Sequence, residues 1–148
     1  MVIEWYGYLK QNKEPAMIKK IQWQTKYKIG IKEVDLQHEY FALLINRLDS
    51  EMTLTNSIQY KHRLMEELSL YASFHFISEE NMMIKANFPD YKGHARLHRK
   101  LLSRLNDQIN YFRSGKTTKE SIINFLVSWF FEHTLEQDKA FSLFLNEK

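Results

Sequence analysis

The chain has no cysteine. That excludes disulfides and thiolate metal sites and fits a reducing compartment, so a cytoplasmic location is expected. Glycine and proline are scarce, 4 and 2 among 148 residues. So few breakers argue against many short strands and for a small number of long helices. No apolar run is long enough to span a bilayer, so no membrane is expected among the partners. Residues 1–20 (MVIEWYGYLKQNKEPAMIKK) lack a charged start followed by a long apolar stretch and do not read as a secretory signal. The net charge of +3 is spread along the chain, without a basic block or interleaved aromatics, which speaks against nucleic acid.

Apolar residues make up 44% of the chain and aromatics 14%, enough for one domain to bury a core of its own. Residues 1–20 read as an N-terminal extension, either a short helix or packed arm or a poorly ordered tail, and residues 21–148 as the folded domain. Four runs there carry helical periodicity. The first, about Lys32 to Met52, has Val34, His38, Phe41, Ile45, Leu48 and Met52 on one face. TLTNS (53–57) ends it, with Thr55 or Asn56 as the expected cap of the next. The second covers about 57 to 86 and stops before NFPD (87–90), where Pro89 forbids continuation. The third, about 91 to 113, turns Leu97, Leu101, Leu105, Ile109 and Phe112 to one side and ends at Gly115. The fourth begins at TTKE (117–120), a capping box of Thr117 with Glu120, and runs unbroken to about Leu145. Four amphipathic helices with short connections fold most simply as an all-α, up-down-up-down four-helix bundle with an N-terminal arm.

The apolar stripes contain groups that do not belong there. At about 100° per residue, His75 and Glu79 lie one turn apart on the inward face of the second run. His94 and His98 stand in the same relation on the third. His133 follows Trp129 at i+4, and His38 lies between Val34 and Phe41. His62 falls about 140° off the stripe of His75 and reads as a solvated surface residue. Asp138 stands five residues after His133; in a regular helix the two would flank the stripe rather than share it. A single inward histidine is ordinarily a hydrogen-bonded core residue. HxxxE, HxxxH, HxxxxD and a further histidine converging on one axis point instead to bound metal, because an unpartnered buried carboxylate costs several kcal/mol or more. Five imidazoles and two carboxylates exceed the needs of one four-coordinate zinc. If both carboxylates bridge two six-coordinate ions that also share a solvent-derived bridge, one position stays open. Imidazole-rich N/O ligation suits iron, copper, nickel or zinc, and six-coordination with bridging carboxylates favours iron. The Glu-x-x-His pairs of ferritin-like sites are not found on these faces.

Trp23, GIKEVDLQH (30–38), HFISEE (75–80), HARLH (94–98) and WFFEHTLEQD (129–138) together resemble the hemerythrins, especially the bacterial single-domain type, over about Ile21 to Leu145. The resemblance implies two iron ions joined by an oxo or hydroxo bridge. His94, His98 and His133 would hold one iron, and His38 and His75 the other, which keeps the open position. Glu79 and Asp138 would bridge them. Dioxygen would be the ligand at the open position, in a pocket lined by Phe41, Phe76, Phe130 and the residue after His133. The implied function is reversible O2 binding for storage, scavenging or delivery to an oxidase or oxygenase, not catalysis. The alternatives are an oxygen or redox sensor reporting through residues 1–20, or a di-iron enzyme acting on peroxide or nitric oxide.

One position departs from the family pattern. Thr134 stands where a bulky aliphatic is usual. Its hydroxyl either admits water and acts on bound ligand, speeding autoxidation, or bonds back to the Phe130 carbonyl within the helix and leaves the pocket dry. Trp129 is expected as core packing, Met82 and Met83 as gap-filling core, and Asp35 as a helix-start residue. Glu80, turned about 100° from Glu79, is expected to be solvated.

Overall fold

The structure, a computed structural model, describes residues 21–148; the expected N-terminal arm, residues 1–20, lies outside the described residues. Four helical columns form the molecule. They are α1 (Lys32–Leu54), α2 (Ile58–Lys85), α3 (Tyr91–Arg113) and a composite fourth column of α4 (Lys119–Phe131), a π-helical segment (Glu132–Gln137) and α5 (Lys139–Asn146). A 3₁₀ turn, Thr25–Tyr27, precedes them. Each column packs on its sequence neighbours, and the fourth closes against α1. That is the expected up-down-up-down bundle.

The helix ends follow local chemistry. Ser57 caps α2, its hydroxyl accepting from the Tyr60 amide at 3.2 Å. Thr55, one of the two caps expected from sequence, is instead used by the preceding helix. Its amide donates to Glu51 O, and its hydroxyl accepts from the Ser57 amide. Asn87 takes a left-handed conformation (φ 54) after α2, and the Phe88 amide reaches back to Met83 O. This is a Schellman closure, with Pro89 just beyond it. Gly115 (φ 72) ends α3 in the same way, with Lys116 N on Tyr111 O. The capping box expected at Thr117 does not form. The cap is Thr118, which accepts from the Ser121 amide at 3.2 Å. The two threonines differ by one residue of register, and Ser121 provides both an amide and a hydroxyl partner to Thr118.

One half of the bundle is a dry core, including Leu48, Met65, Leu68, Leu101, Leu105 and Ile122, each at most 2% exposed. Ile21 is clamped to α1 at both backbone groups by the Asn46 side chain, at 2.8 Å each. Asp35 ties down the loop before α1 by accepting from the amides of Ile29 (2.7 Å) and Gly30 (3.1 Å), as a helix-start residue should. Ser142 of α5 donates to Ile29 O, fastening the last helix to the same loop.

The fourth column is not the single α-helix expected from sequence. Its winding loosens over Glu132–Gln137 into a π segment before α5 resumes. Such segments are rare, mostly single-turn, and concentrate at functional sites. In a helix closed by i→i+5 hydrogen bonds, residue i+5 returns to nearly the face of residue i. His133 and Asp138 are five apart, so the loosened turn puts them on one face. The α-helical expectation that they flank the stripe is thereby corrected.

Candidate metal centre

The bundle brings all seven predicted donor residues to one buried place. His38 comes from α1, His75 and Glu79 from α2, His94 and His98 from α3, His133 from the π segment and Asp138 from its end. None is more than 5% exposed. Their ligand atoms form two groups, each within 4.8 Å: His38, His75, His133 and Asp138, and Glu79, His94, His98 and Asp138. Asp138 belongs to both. Its Oδ2 lies 2.9 Å from His38 Nε2 and 3.2 Å from His133 Nε2, and its Oδ1 lies 3.3 Å from His94 Nε2. Glu79 also spans the groups, with Oε1 3.3 Å from His94 Nε2 and Oε2 3.5 Å from His75 Nε2.

His133 departs from the partition implied by the resemblance, which set it with His94 and His98. Its Nε2 is 3.0 Å from His75 Nε2 and only 3.7 Å from Glu79 Oε2. The π turn places it beside Asp138 Oδ2, which also meets His38, and so draws it toward that group. His62, half-buried on α2, lies in neither group.

These donors fit bound cations. Both oxygens of Glu79, both of Asp138, and Nε2 of His94 and His98 are buried without a hydrogen bond of proper geometry. The approaches of about 3.3 Å between them are close enough for hydrogen bonds but do not point as hydrogen bonds do. Uncompensated carboxylates at this depth cost several kcal/mol each. A nitrogen and oxygen donor set lying between the columns, with no sulfur, is the chemistry that imidazole-binding divalent metals take.

The electrostatics agree. Burial, then the neighbouring imidazoles, hold His75 well below its ordinary value. The same causes bring His98 down to about 2. Burial brings His133 down to about 4, with Asp138 pulling the other way. These three stay neutral, as ligands must. For His94 burial opposes the charge, but Asp138 and Glu79 outweigh it and raise the imidazole to about 9. The two carboxylates move apart. Burial and the charge of Asp138 lift Glu79 well above the usual range. Asp138, despite its burial, is held well below it by His133, His38 and His94.

The surroundings are aromatic. Phe76 stacks on His98 at 4.2 Å between ring centroids, tilted 12°, and meets His133 edge-on at 4.9 Å. Phe41 stands edge-on to His75 at 6.3 Å, Phe130 edge-on to His38 at 6.4 Å, and the two Phe rings touch at 5.8 Å. Trp129 is core, as expected, its indole N–H donating to Leu101 O at 3.0 Å. Thr134 is 1% exposed, and its hydroxyl has no hydrogen-bond partner among the described residues. The back-bond to Phe130 O is not made; Thr134 lies inside the π segment, whose winding departs from the α-helix in which such a bond forms.

Three contacts were not anticipated from sequence. Glu80, expected to be solvated, is half-buried, and its carboxylate accepts from His98 Nδ1 at 2.8 Å, across the α2–α3 interface. Gln37 Oε1 accepts from His75 Nδ1 at 2.7 Å, across α1–α2. Trp23 lies 6.4 Å from the His38 ring and 6.5 Å from Phe130. Helical phase locates a residue on its own helix but not the gap to the next, and these contacts all cross such gaps. The DxQH spacing (Asp35 to His38) was the one available signal for Gln37.

Comparison with known proteins adds a family-scale match. A sequence model described as the hemerythrin HHE cation binding domain matches residues 29–143. A bacteriohemerythrin of Stenotrophomonas maltophilia is 27% identical over 120 residues, covering 81% of this chain and 78% of that protein. A hemerythrin-like protein of Naegleria gruberi is 26% identical, covering 80% and 88% respectively. A crystal structure of a wild-type hemerythrin superposes with a TM-score of 0.73 at 24% identity, covering 84% of this chain and 97% of that one.

Proposed function

Since the chain belongs to the hemerythrin family, we propose that it binds dioxygen reversibly at a pair of non-haem irons held by His38, His75, Glu79, His94, His98, His133 and Asp138. The observation that carries this reading is the carboxylate of Asp138, which is shared by two adjacent donor groups. His94 and His98 would hold one iron and His38 and His75 the other, with His133, which lies beside His38 and His75, completing the set and one position left open for O2. Glu79 and Asp138, whose carboxylates reach both donor groups, would serve both. When bound, the irons supply the two electrons that dioxygen takes up. The chain's own residues set the conditions. Phe41, Phe76 and Phe130 wall the pocket with rings that exclude water and offer no proton. Neutral His75, His98 and His133 keep their Nε2 lone pairs available for the metals. Walls of this kind favour storage, scavenging or hand-over to an oxidase or oxygenase above turnover. Among the described residues no helix is long and apolar enough to cross a membrane, and a cytoplasmic site of action goes with the cysteine-free composition.

A sensor reading has one specific support. Trp23 lies 6.4 Å from the His38 ring, and Ile21 is fastened to α1 through Asn46, so the described chain begins on the helix that carries His38. Beginning the chain at Met17 without change in any partner contact would oppose that reading.

The deciding experiment measures iron per chain, reduces the protein without air and adds O2 while the visible spectrum is recorded. A band that appears with O2 and vanishes on its removal supports carriage. Irreversible oxidation at mixing, or turnover of peroxide or nitric oxide, supports an enzyme. Zinc in place of iron overturns the reading.

A further inference from the structure

We infer that Glu80 and Gln37 are positioning residues that make the two halves of the centre electronically unequal: the Glu80 carboxylate makes His98 the stronger donor, and the Gln37 amide leaves His75 the weaker. The inference rests on the proposed two-iron reading.

Both imidazoles turn Nε2 to the centre and Nδ1 outward, and each Nδ1 has one partner. For His75 it is the neutral amide oxygen of Gln37 at 2.7 Å. For His98 it is the carboxylate of Glu80 at 2.8 Å. With Nε2 given to a metal, each ring carries its proton on Nδ1 and the partner accepts it. The difference between the partners is charge. A carboxylate draws the Nδ1 proton more strongly than an amide does, and the electron density left at Nε2 raises the basicity of the ligand.

Each contact is itself held. The Gln37 amide nitrogen donates to Ser78 Oγ at 2.9 Å, which anchors the side chain across α1–α2, and its backbone carbonyl accepts from Tyr71 OH at 2.9 Å. On the other side Phe76 lies flat on the His98 ring, so that ring is fixed on its face by Phe76 and at its edge by Glu80. The Glu80 side chain is 22% exposed and keeps an edge in reach of water. Glu79, one residue earlier, points into the centre and has no such partner. Adjacent carboxylates of one helix thus serve different ends, one toward the metals and one behind a ligand.

The consequence is directional. A stronger donor favours the higher oxidation state, so the iron on His98 is held ferric more firmly than the iron on His75. The test uses Glu80→Gln, which keeps length and acceptor but removes charge; Glu80→Ala, which removes both; and Gln37→Glu, which adds charge behind His75. Metal-free helicity is recorded first, then anaerobic iron(II) affinity and midpoint potential. Glu80→Ala should lose about 10- to 100-fold in iron affinity. Glu80→Gln should recover most of that affinity but raise the potential, a tenfold preference against ferric being about 59 mV. Gln37→Glu should move the potential the other way. A Glu80→Gln protein with wild-type potential, or two charge variants shifting in the same direction, would overturn the inference. A wild-type chain that takes up no iron pair would instead remove the proposed function, before any variant is compared.

Discussion

Replacing Thr134 by valine removes one oxygen and nearly preserves shape. The site is 1% exposed and the hydroxyl has no partner among the described residues. A buried hydroxyl without a hydrogen bond carries a desolvation penalty of about 1–3 kcal/mol, and valine does not. Metal-free Thr134→Val should therefore be more stable than wild type by roughly 1–2 kcal/mol. For a chain of this length each kcal/mol is worth about 2–4 °C in Tm, so the thermal melt should rise by several degrees. Thr134→Ile adds a further methylene to a packed site. Overpacking of that kind costs about 1–3 kcal/mol and should cancel the gain. The same substitutions test the pocket. If the hydroxyl admits water or acts on bound oxygen, both variants should autoxidise more slowly than wild type when iron-loaded. A lower Tm for Thr134→Val would mean the hydroxyl is satisfied after all, and equal autoxidation across the three proteins would remove Thr134 from the oxygen chemistry.

Metal-free stability should peak near pH 6.5, the ordinary histidine value. His98 (about 2), His133 (about 4) and His75 are depressed in the fold, so the unfolded chain takes up their protons first and stability falls as pH drops below 6.5. His94, raised to about 9, stabilises fully below 6.5 and loses that contribution as pH rises through 9; a Tm that climbs steadily to pH 9 would refute the assignment. Asp138→Asn should reduce iron content at both positions, since one carboxylate serves both groups, whereas His62→Gln should leave elemental analysis unchanged. Thr118→Ala should cost about 1 kcal/mol in a urea titration and Thr117→Ala almost nothing; the reverse order would restore the capping box at Thr117.

Much of this molecule is legible in its sequence. The inward phase of His38, His75, Glu79, His94, His98 and His133 follows from regular winding alone, because an α-helix repeats so closely that spacing is position. Reading failed where winding or partner geometry is not periodic. Asp138 was assigned to the centre with the wrong turn, since nothing in EHTLEQ marks a π segment in advance. Glu80 reads as solvated from the phase of its own helix, because its neighbour on α3 is invisible from α2. Caps slipped by one or two residues, as at Ser57 and Thr118, where several hydroxyls compete within one short connection. The hydroxyl of Thr134 was open to two roles, and only the winding of the π segment separates them.

The π segment also decides where this chain tolerates a change of length. Its six residues fill roughly the turn that five would fill in an α-helix, so the additional residue is absorbed locally and α5 keeps its face toward the bundle. Deleting one residue between His133 and Asp138 would let the fourth column wind as an ordinary α-helix, with the aspartate at i+4 from His133 and about 40° from it. Phe141 and Ser142, both buried, would stay turned inward. What would disappear is the wide turn in which the Thr134 hydroxyl stands without a partner. A deletion there should therefore be tolerated better than one inside α4, where every inward residue downstream would turn by about 100°.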